Sequence, residues 1–366
     1  MALVTAALLL SSGALAAPLP LGEDAAVGTL PGKQWELHDH SGLKTEKIIQ
    51  ITGENTENKT LSRFGVWGTD LGSMAELNGR VYLFGGDTFE SEKNANWRSN
   101  VLFVIEDDDP SDGLTITDAV TDKRGKAKEL LRSLKTDHKE MTVIPTNLFA
   151  ANGRLYCIYM SVSHWGDPGK WDARYSGLAV SKDEGQTWEK LKDVRWPGES
   201  GFIQTANAQI EDTMYIWGIP SGRFGSVYLM KAPADKLEDY EAYSYFVGRD
   251  EAGAPLWQQG SEGIEKVAPV IEAPAGEISV IYNEYLGNFI ITYLNEKKAA
   301  IVMREGLTPW GAFGQEYVLA RGAQYPALYG AFMLPKYVEN KGQSFYFAMS
   351  QFFPIYNIMW MKTTLE

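Results

Sequence analysis

Residues 64–89 read FGVWGTDLGSMAELNGRVYLFGGDTF, two arms rich in aromatic and aliphatic residues around Asn78-Gly79. Asn-Gly is the strongest short-range signal for a two-residue β-hairpin, because both residues tolerate the left-handed backbone that a type I′ turn demands. With these two at the turn, Leu77 faces Arg80, and counting outward along both arms brings Asp70 opposite Asp87. Like charges placed opposite one another weaken a hairpin, so this arrangement calls for a reason other than stability.

The hairpin recurs along the chain. NGRVYLFGGD (78–87), NGRLYCIYMS (152–161), EDTMYIWGIP (211–220), AGEISVIYNE (275–284) and KGQSFYFAMS (341–350) each couple a turn to alternating aromatic and aliphatic residues. Each follows another extended run (VWGTDLGSMAEL, MTVIPTNLFA, FIQTANAQI, KVAPVIEAP and LYGAFMLP), and further strand-like sequence comes after it. Units of about four strands recurring roughly every 65 residues predict an all-β fold, a five-bladed β-propeller. The fifth unit lacks an outer strand. EKIIQIT (46–52) has no unit of its own and predicts an N-terminal strand that completes the last blade. GKAKELLRSLK (125–135) reads as a short helix after the first unit, and PADKLEDY (233–240) as a helical turn. SKDEGQTW (181–188) has the Asp-box pattern: Asp183 caps a turn, Gly185 takes a positive φ and Trp188 packs beneath, a structural role.

Composition narrows the function classes. The 366 residues are 44% hydrophobic, enough for a large core, and include 11 Trp and 18 Tyr. That aromatic surplus either fills the core or forms flat amphipathic surfaces of the kind sugars stack on. A net charge of −13 argues against nucleic acid and anionic membrane, both of which need a basic footprint. MALVTAALLLSSGALA (1–16) resembles a secretory signal, although no Lys or Arg precedes its apolar run, and it is too short and broken for a membrane span. The expected organisation is a signal peptide (1–16), an extension (17–44) and one propeller domain (45–366), in a secreted or periplasmic monomer. Cys157, the single cysteine, lies in an apolar run and reads as a core residue.

In each repeat the first strand starts at the end where the second finishes, and a propeller gathers its site on that rim. The rim collects Trp67, Thr69 and Asp70 with Asp87; Thr146, Asn147 and Ser161; Gln204, Thr205 and Asn207; Asn283, Glu284 and Tyr285; and Tyr329 with Ser350. The loop SVSHWGDPGKWDARYSG (161–177) adds His164, Trp165, Asp167, Trp171 and Asp172 as a lip. Either aspartate of the hairpin could by itself cap a turn. Facing one another, Asp70 and Asp87 cannot both ionise easily, so one carboxyl pKa rises while the other stays low. An acid and a base offset in this way are what glycosidic cleavage needs. Thr69, Arg98, Asn147 and Asn207 are candidates to hold sugar hydroxyls, with Trp67, Trp165 and Tyr329 as stacking surfaces. Glu284 is either a third carboxylate or a polar strand end, and Asp172 is the other candidate third carboxylate. His164 is an acid/base group, a sugar ligand or an incidental loop residue. His38, His40 and His138 show no metal-ligand spacing in sequence, so no cofactor is expected, with room only for a structural cation in the central channel. A carbohydrate-binding propeller without turnover fits the aromatic rim as well. A sialidase would normally show several Asp boxes.

WGTDLG, FGGDTF, NWRSNVLF, IPTNLFAANGRLYCIYMS, HWGDPGKW, YSGLAVSKDEGQTW and the C-terminal YGAFMLP and FYFAMSQFFPIYNIMWMK together resemble the DUF4185 domain family over about residues 45 to 366. That family is associated with glycoside hydrolase family 183, whose members are endo-D-arabinanases. The resemblance implies a five-bladed propeller that cuts internal D-arabinofuranosyl linkages, as in the arabinogalactan and lipoarabinomannan of mycobacterial cell walls. It also implies that the acidic pair of WGTDLG and FGGDTF, here Asp70 and Asp87, is catalytic.

Overall fold

The computed structural model describes residues 22–366, so the signal-type segment 1–16 lies outside the described residues. Every strand pairing in its sheets is antiparallel. After β1 (Lys44–Gln50), a first meander comprises β2 (Gly68–Leu77), β3 (Arg80–Phe89), β4 (Val101–Ile105) and β5 (Ile116–Ala119). The second comprises β6 (Thr142–Ala151), β7 (Arg154–Trp165), β8 (Trp171–Ser181) and β9 (Glu189–Pro197). The third comprises β10 (Gln204–Ile210), β11 (Thr213–Ile219), β12 (Gly225–Pro233) and β13 (Ser244–Arg249), with β14 (Pro255–Gln259) added at its edge. The fourth comprises β15 (Ile271–Asn283), β16 (Asn288–Asn295), β17 (Ala300–Gly306) and β18 (Tyr317–Arg321). A bridge from β12 to β15 merges the third and fourth meanders into one nine-stranded sheet. The last meander, β19 (Leu328–Glu339), β20 (Ser344–Gln351) and β21 (Asn357–Thr364), gains its fourth strand from β1, which pairs antiparallel with β21.

Alternation along the second strands explains the packing. Successive side chains of a strand point to opposite faces, and here both faces are buried. Val81 and Leu83 of β3 join the core shared with the fifth meander, whereas Tyr82 and Phe84 join the one shared with the second. On β7, Cys157 and Tyr159 turn toward the first meander, and Tyr156 and Ile158 toward the third. On β11, Met214 and Ile216 face the second meander, while Tyr215, Trp217 and Ile219 face the fourth. The first strands, β2, β6, β10, β15 and β19, touch in sequence, and β19 returns to β2.

Local chemistry places the turns. Asn78 and Gly79 take φ of 53° and 78°, and Asn152 and Gly153 repeat the pattern at 52° and 69°. In SKDEGQTW the Thr187 amide and hydroxyl both donate to the Asp183 carboxylate, Gly185 has φ of 85°, and Trp188 Nε1 donates to the Gly185 carbonyl. Where one helical turn was expected over 233–240, two short 3₁₀ turns form, Ala234–Lys236 and Tyr240–Ala242.

Two expectations are corrected. The 125–135 segment forms no helix, because its amides bond elsewhere: Ala127 to the Phe64 carbonyl, Lys128 to the Val120 carbonyl, and Leu130 and Leu131 to the Asn100 side chain. The fourth repeat is also out of phase. AGEISVIYNE was expected as a second strand, yet Ile271–Asn283 is the first strand of its meander, and Gly287 at φ 63° closes the turn into Asn288–Asn295.

The N-terminal segment lies against the fourth meander. Val27 is buried there, the Gln34 amide donates to the Gly287 carbonyl, and His38 and His40 clasp the two oxygens of the buried Glu305.

Candidate functional site

The β2–β3 hairpin keeps its expected register from Leu77↔Arg80 to Ser73↔Phe84, slips twice in compensating steps around Leu71, and regains it at Thr69↔Thr88 and Gly68↔Phe89. Leu71 at φ 62° and Gly72 at φ 104° form the irregularity, after which Thr69 pairs with Thr88. Asp70 and Asp87 therefore flank a bulge rather than forming a register pair, and both face one cavity of about 800 Å³. A bulge re-aims side chains in this way. The two glycines before Asp87 have a steric reason: a Cβ on Gly85 would lie 2.5 Å from Thr69 Oγ1, and one on Gly86 would lie 2.3 Å from Asp70 Oδ1.

The two carboxylates are held differently. Asp70 Oδ2 accepts from the Tyr329 hydroxyl at 2.8 Å, while its buried Oδ1 has no hydrogen-bond partner among the described residues. Burial above all, and then the neighbouring Asp87 charge, pushes its pKa up to about 7 against the pull of Tyr329 and Tyr356. Asp87 Oδ1 accepts from both Trp97 Nε1 and Thr142 Oγ1 at 2.7 Å, and its main-chain carbonyl accepts from Tyr356. Burial raises Asp87 to about 6, opposed by Thr142, Trp97 and the Lys135 cation. Behind Asp87, Lys135 bonds Glu129 and Ser99 and lies 4.0 Å over the Trp97 ring.

Across the cavity sits a third carboxylate that the sequence reading missed. Glu277, buried on β15 at φ 30°, accepts from Arg223 Nε at 2.8 Å, and its Oε2 has no partner among the described residues. Burial raises its pKa, and Arg223 opposes the rise. The Arg223 guanidinium also lies 4.7 Å over the Tyr329 ring, so Glu277, Arg223, Tyr329 and Asp70 form one connected row. A carboxylate that stays protonated near neutrality beside one that ionises more readily can give a proton to one atom while taking one from another.

The other candidates divide clearly. Trp67, Trp165 and Asp167 line the cavity together with Phe89, Trp171 and Phe352. Tyr329 also lines it but is buried and serves Asp70 as a hydrogen-bond donor, not as an open stacking face. Thr69 is buried and bonded to Thr88. The Arg98 guanidinium is spent on the carbonyls of Gly65, Asn96 and Ala127. Asn147 is buried outside the cavity lining, and Asn207 donates to Met214 Sδ. His164 and Asp172 lie outside the lining, with His164 bonded to Asp137. Glu284 lies in the β15–β16 turn, at the end equivalent to Asn78-Gly79 and away from the cavity, a consequence of the phase error. The turn signal in YLGN (285–288) could have set the phase and brought Glu277 to the rim. Among the described residues, Asp137, His138 and His164 form the one group of potential metal ligands whose donor atoms converge.

Solved structures share this architecture. A hydrolase candidate from Bacteroides ovatus aligns with a TM-score of 0.57 at 12% identity, covering 91% of this chain and 97% of that one. An exo-β-1,3-galactanase from Phanerochaete chrysosporium, solved with β-1,3-galactotriose, aligns at 0.55 and 11% identity over 87% and 64% of the respective chains. A protein of unknown function from Dyadobacter fermentans aligns at 0.51 and 12% identity over 88% and 99%. At such identities the likeness is one of fold. No curated protein matches the sequence. Residues 55–362 match the family described as Domain of unknown function (DUF4185), and the chain belongs to that family.

Proposed function

We propose that this protein is a secreted glycoside hydrolase built on a closed five-bladed propeller, with an endo-acting D-arabinanase as the specific reading. The observation that carries the hydrolase reading is the pair Asp70 and Asp87: two carboxylates raised to different extents at one cavity lined by Trp67, Trp165 and Trp171. Asp70, the more strongly raised, acts as the acid and protonates the departing glycosidic oxygen. Asp87 acts as the base, taking a proton from the attacking water through its uncommitted Oδ2 while Trp97 and Thr142 hold Oδ1. The cycle of contacts among the five first strands supports the closed ring. Likeness in fold to a galactanase agrees with a carbohydrate substrate, and family resemblance supplies D-arabinan and the internal mode of attack.

Activity should be highest between about pH 6 and 7, falling below as the base takes a proton and above as the acid loses its own. Incubation with arabinogalactan and purified D-arabinan, followed by assay of new reducing ends and mass spectrometry of the fragments, tests the reading. Oligosaccharides should appear with the native chain and vanish with Asp70→Asn and with Asp87→Asn. Full turnover by either variant would remove that residue from the mechanism, and no fragments from any polysaccharide would leave a binding protein.

A further inference from the structure

Beside the cavity, residues 136–140 make a short loop fastened across the end of β7. Thr136 and Glu140 pair with one another, and the His138 amide donates to the Ser163 carbonyl at 2.8 Å. His138 takes φ of 58°, unusual for a side chain of its size, and this turns its ring onto that of His164: the two stack with centroids 4.3 Å apart and planes 14° from parallel. Asp137 lies between them. His164 Nδ1 is 2.8 Å from Asp137 Oδ1, and His138 Nε2 is 3.6 Å from Asp137 Oδ2.

The second distance is the informative one. At 3.6 Å it is too long for a hydrogen bond, and the His138 ring makes none among the described residues, so hydrogen bonding does not account for its position. Donors about 2.0–2.1 Å from a tetrahedral zinc ion lie about 3.4 Å from each other. The two measured separations run to different oxygens of Asp137, and with one donor taken from each residue all three fall within 4.8 Å of one another. An imidazole binds a metal in its own ring plane, so the exposed His138 and the half-buried His164 would both turn out of their stack to meet one ion. By contrast His38, His40 and Glu305 form a closed knot in which both carboxylate oxygens are already engaged.

We propose that Asp137, His138 and His164 bind one divalent transition-metal ion of the zinc class. Two imidazoles and a carboxylate suit zinc, nickel or copper rather than calcium or magnesium, which take all-oxygen shells. Three protein donors leave a fourth position for water. The ion would clip the loop, whose Lys135 stands behind Asp87, to the end of β7, where Trp165 edges the cavity.

The experiment does not depend on the hydrolase reading. Untagged protein, stripped with a chelator, is titrated with Zn²⁺ by calorimetry and with Co²⁺ by visible absorption, circular dichroism confirming that each variant is folded. One equivalent of Zn²⁺ should bind with micromolar affinity and Co²⁺ should show d–d bands. His138→Ala and His164→Ala should each weaken binding about tenfold or more, with Asp137→Asn as a gentler third variant, while His38→Ala should bind as the native chain does. Absence of Zn²⁺ binding, affinity unchanged in both His138→Ala and His164→Ala, or loss of binding in His38→Ala would each overturn the assignment.

Discussion

Asp70 Oδ1 is buried against Gly86 with no hydrogen-bond partner among the described residues, and the burial of this carboxyl has a thermodynamic consequence. The carboxyl pKa rises from 3.8 to about 7 because burial penalises the charge, with Asp87 adding to it. The native state thus holds a proton that the unfolded chain gives up above about pH 4. The resulting stability is complete below the unfolded pKa and is lost as pH rises through about 7. Asp70→Asn removes the charge at nearly constant shape, so it should be close to neutral at pH 4 and stabilising at pH 8, by on the order of 2–4 kcal/mol. Parallel melting curves of variant and native protein across that range would contradict this. Lys135 works in the opposite sense on Asp87, where its cation favours the ionised form. Lys135→Met keeps the stem over Trp97 and removes the charge. The acidic limb of the pH–rate profile should then move up by about half to one pH unit, with the alkaline limb, set by Asp70, in place.

At the scale of the element, the β2–β3 hairpin has one end that makes structure and one that makes the site. A Cβ on Gly79 meets nothing within 4 Å, so Gly79→Ala is strained only by its φ of 78° and should lower stability by about 1 kcal/mol with turnover intact. A Cβ on Gly86 would collide with Asp70 Oδ1, so Gly86→Ala should reduce turnover at least tenfold while shifting the melting temperature little. Measuring both quantities in both variants separates the two ends; equal effects would merge them. The same division governs what could be read in advance. Asn-Gly fixes a turn by local backbone chemistry, and the register that follows from it holds to Ser73↔Phe84 and returns at Thr69↔Thr88 and Gly68↔Phe89, interrupted only around Leu71. The slip at Leu71 was not legible, because a leucine at φ 62° is paid for by tertiary contacts and not by its own preference. Glu277 was missed for a related reason. The strand Ile271–Asn283 carries Pro274 and Gly276 early on, which read as a turn, whereas the true turn lies further along at Gly287. The segment 125–135 has helical composition, yet its amides find better partners in Phe64, Asn100 and Val120 than in one another.

For the whole molecule the seam between β1 and β21 matters most, because in the proposed ring it is where the two ends of the chain meet. Every other meander draws its strands from one continuous stretch of sequence. The fifth is completed only by a strand from the far end of the chain, and unzipping it exposes the edge of β21 and opens the core containing Ile49, Phe347 and Trp360. Thr45 and Thr363 are register partners across this seam, with hydroxyl oxygens 2.8 Å apart and 318 positions between them in sequence. Side chains in contact at that range suit a cross-strand disulfide. Closing so long a loop removes much of the unfolded chain's freedom, an effect worth at most about 5 kcal/mol. The variant Thr45→Cys with Thr363→Cys, oxidised, should melt roughly 5–10 °C above its reduced form, and Cys157, buried in the core, takes no part. If unfolding begins at the seam, the oxidised variant should also unfold many times more slowly in denaturant. An unchanged unfolding rate with a raised melting temperature would place the first opening elsewhere in the ring, and no change in either would mean that the seam does not hold the molecule closed.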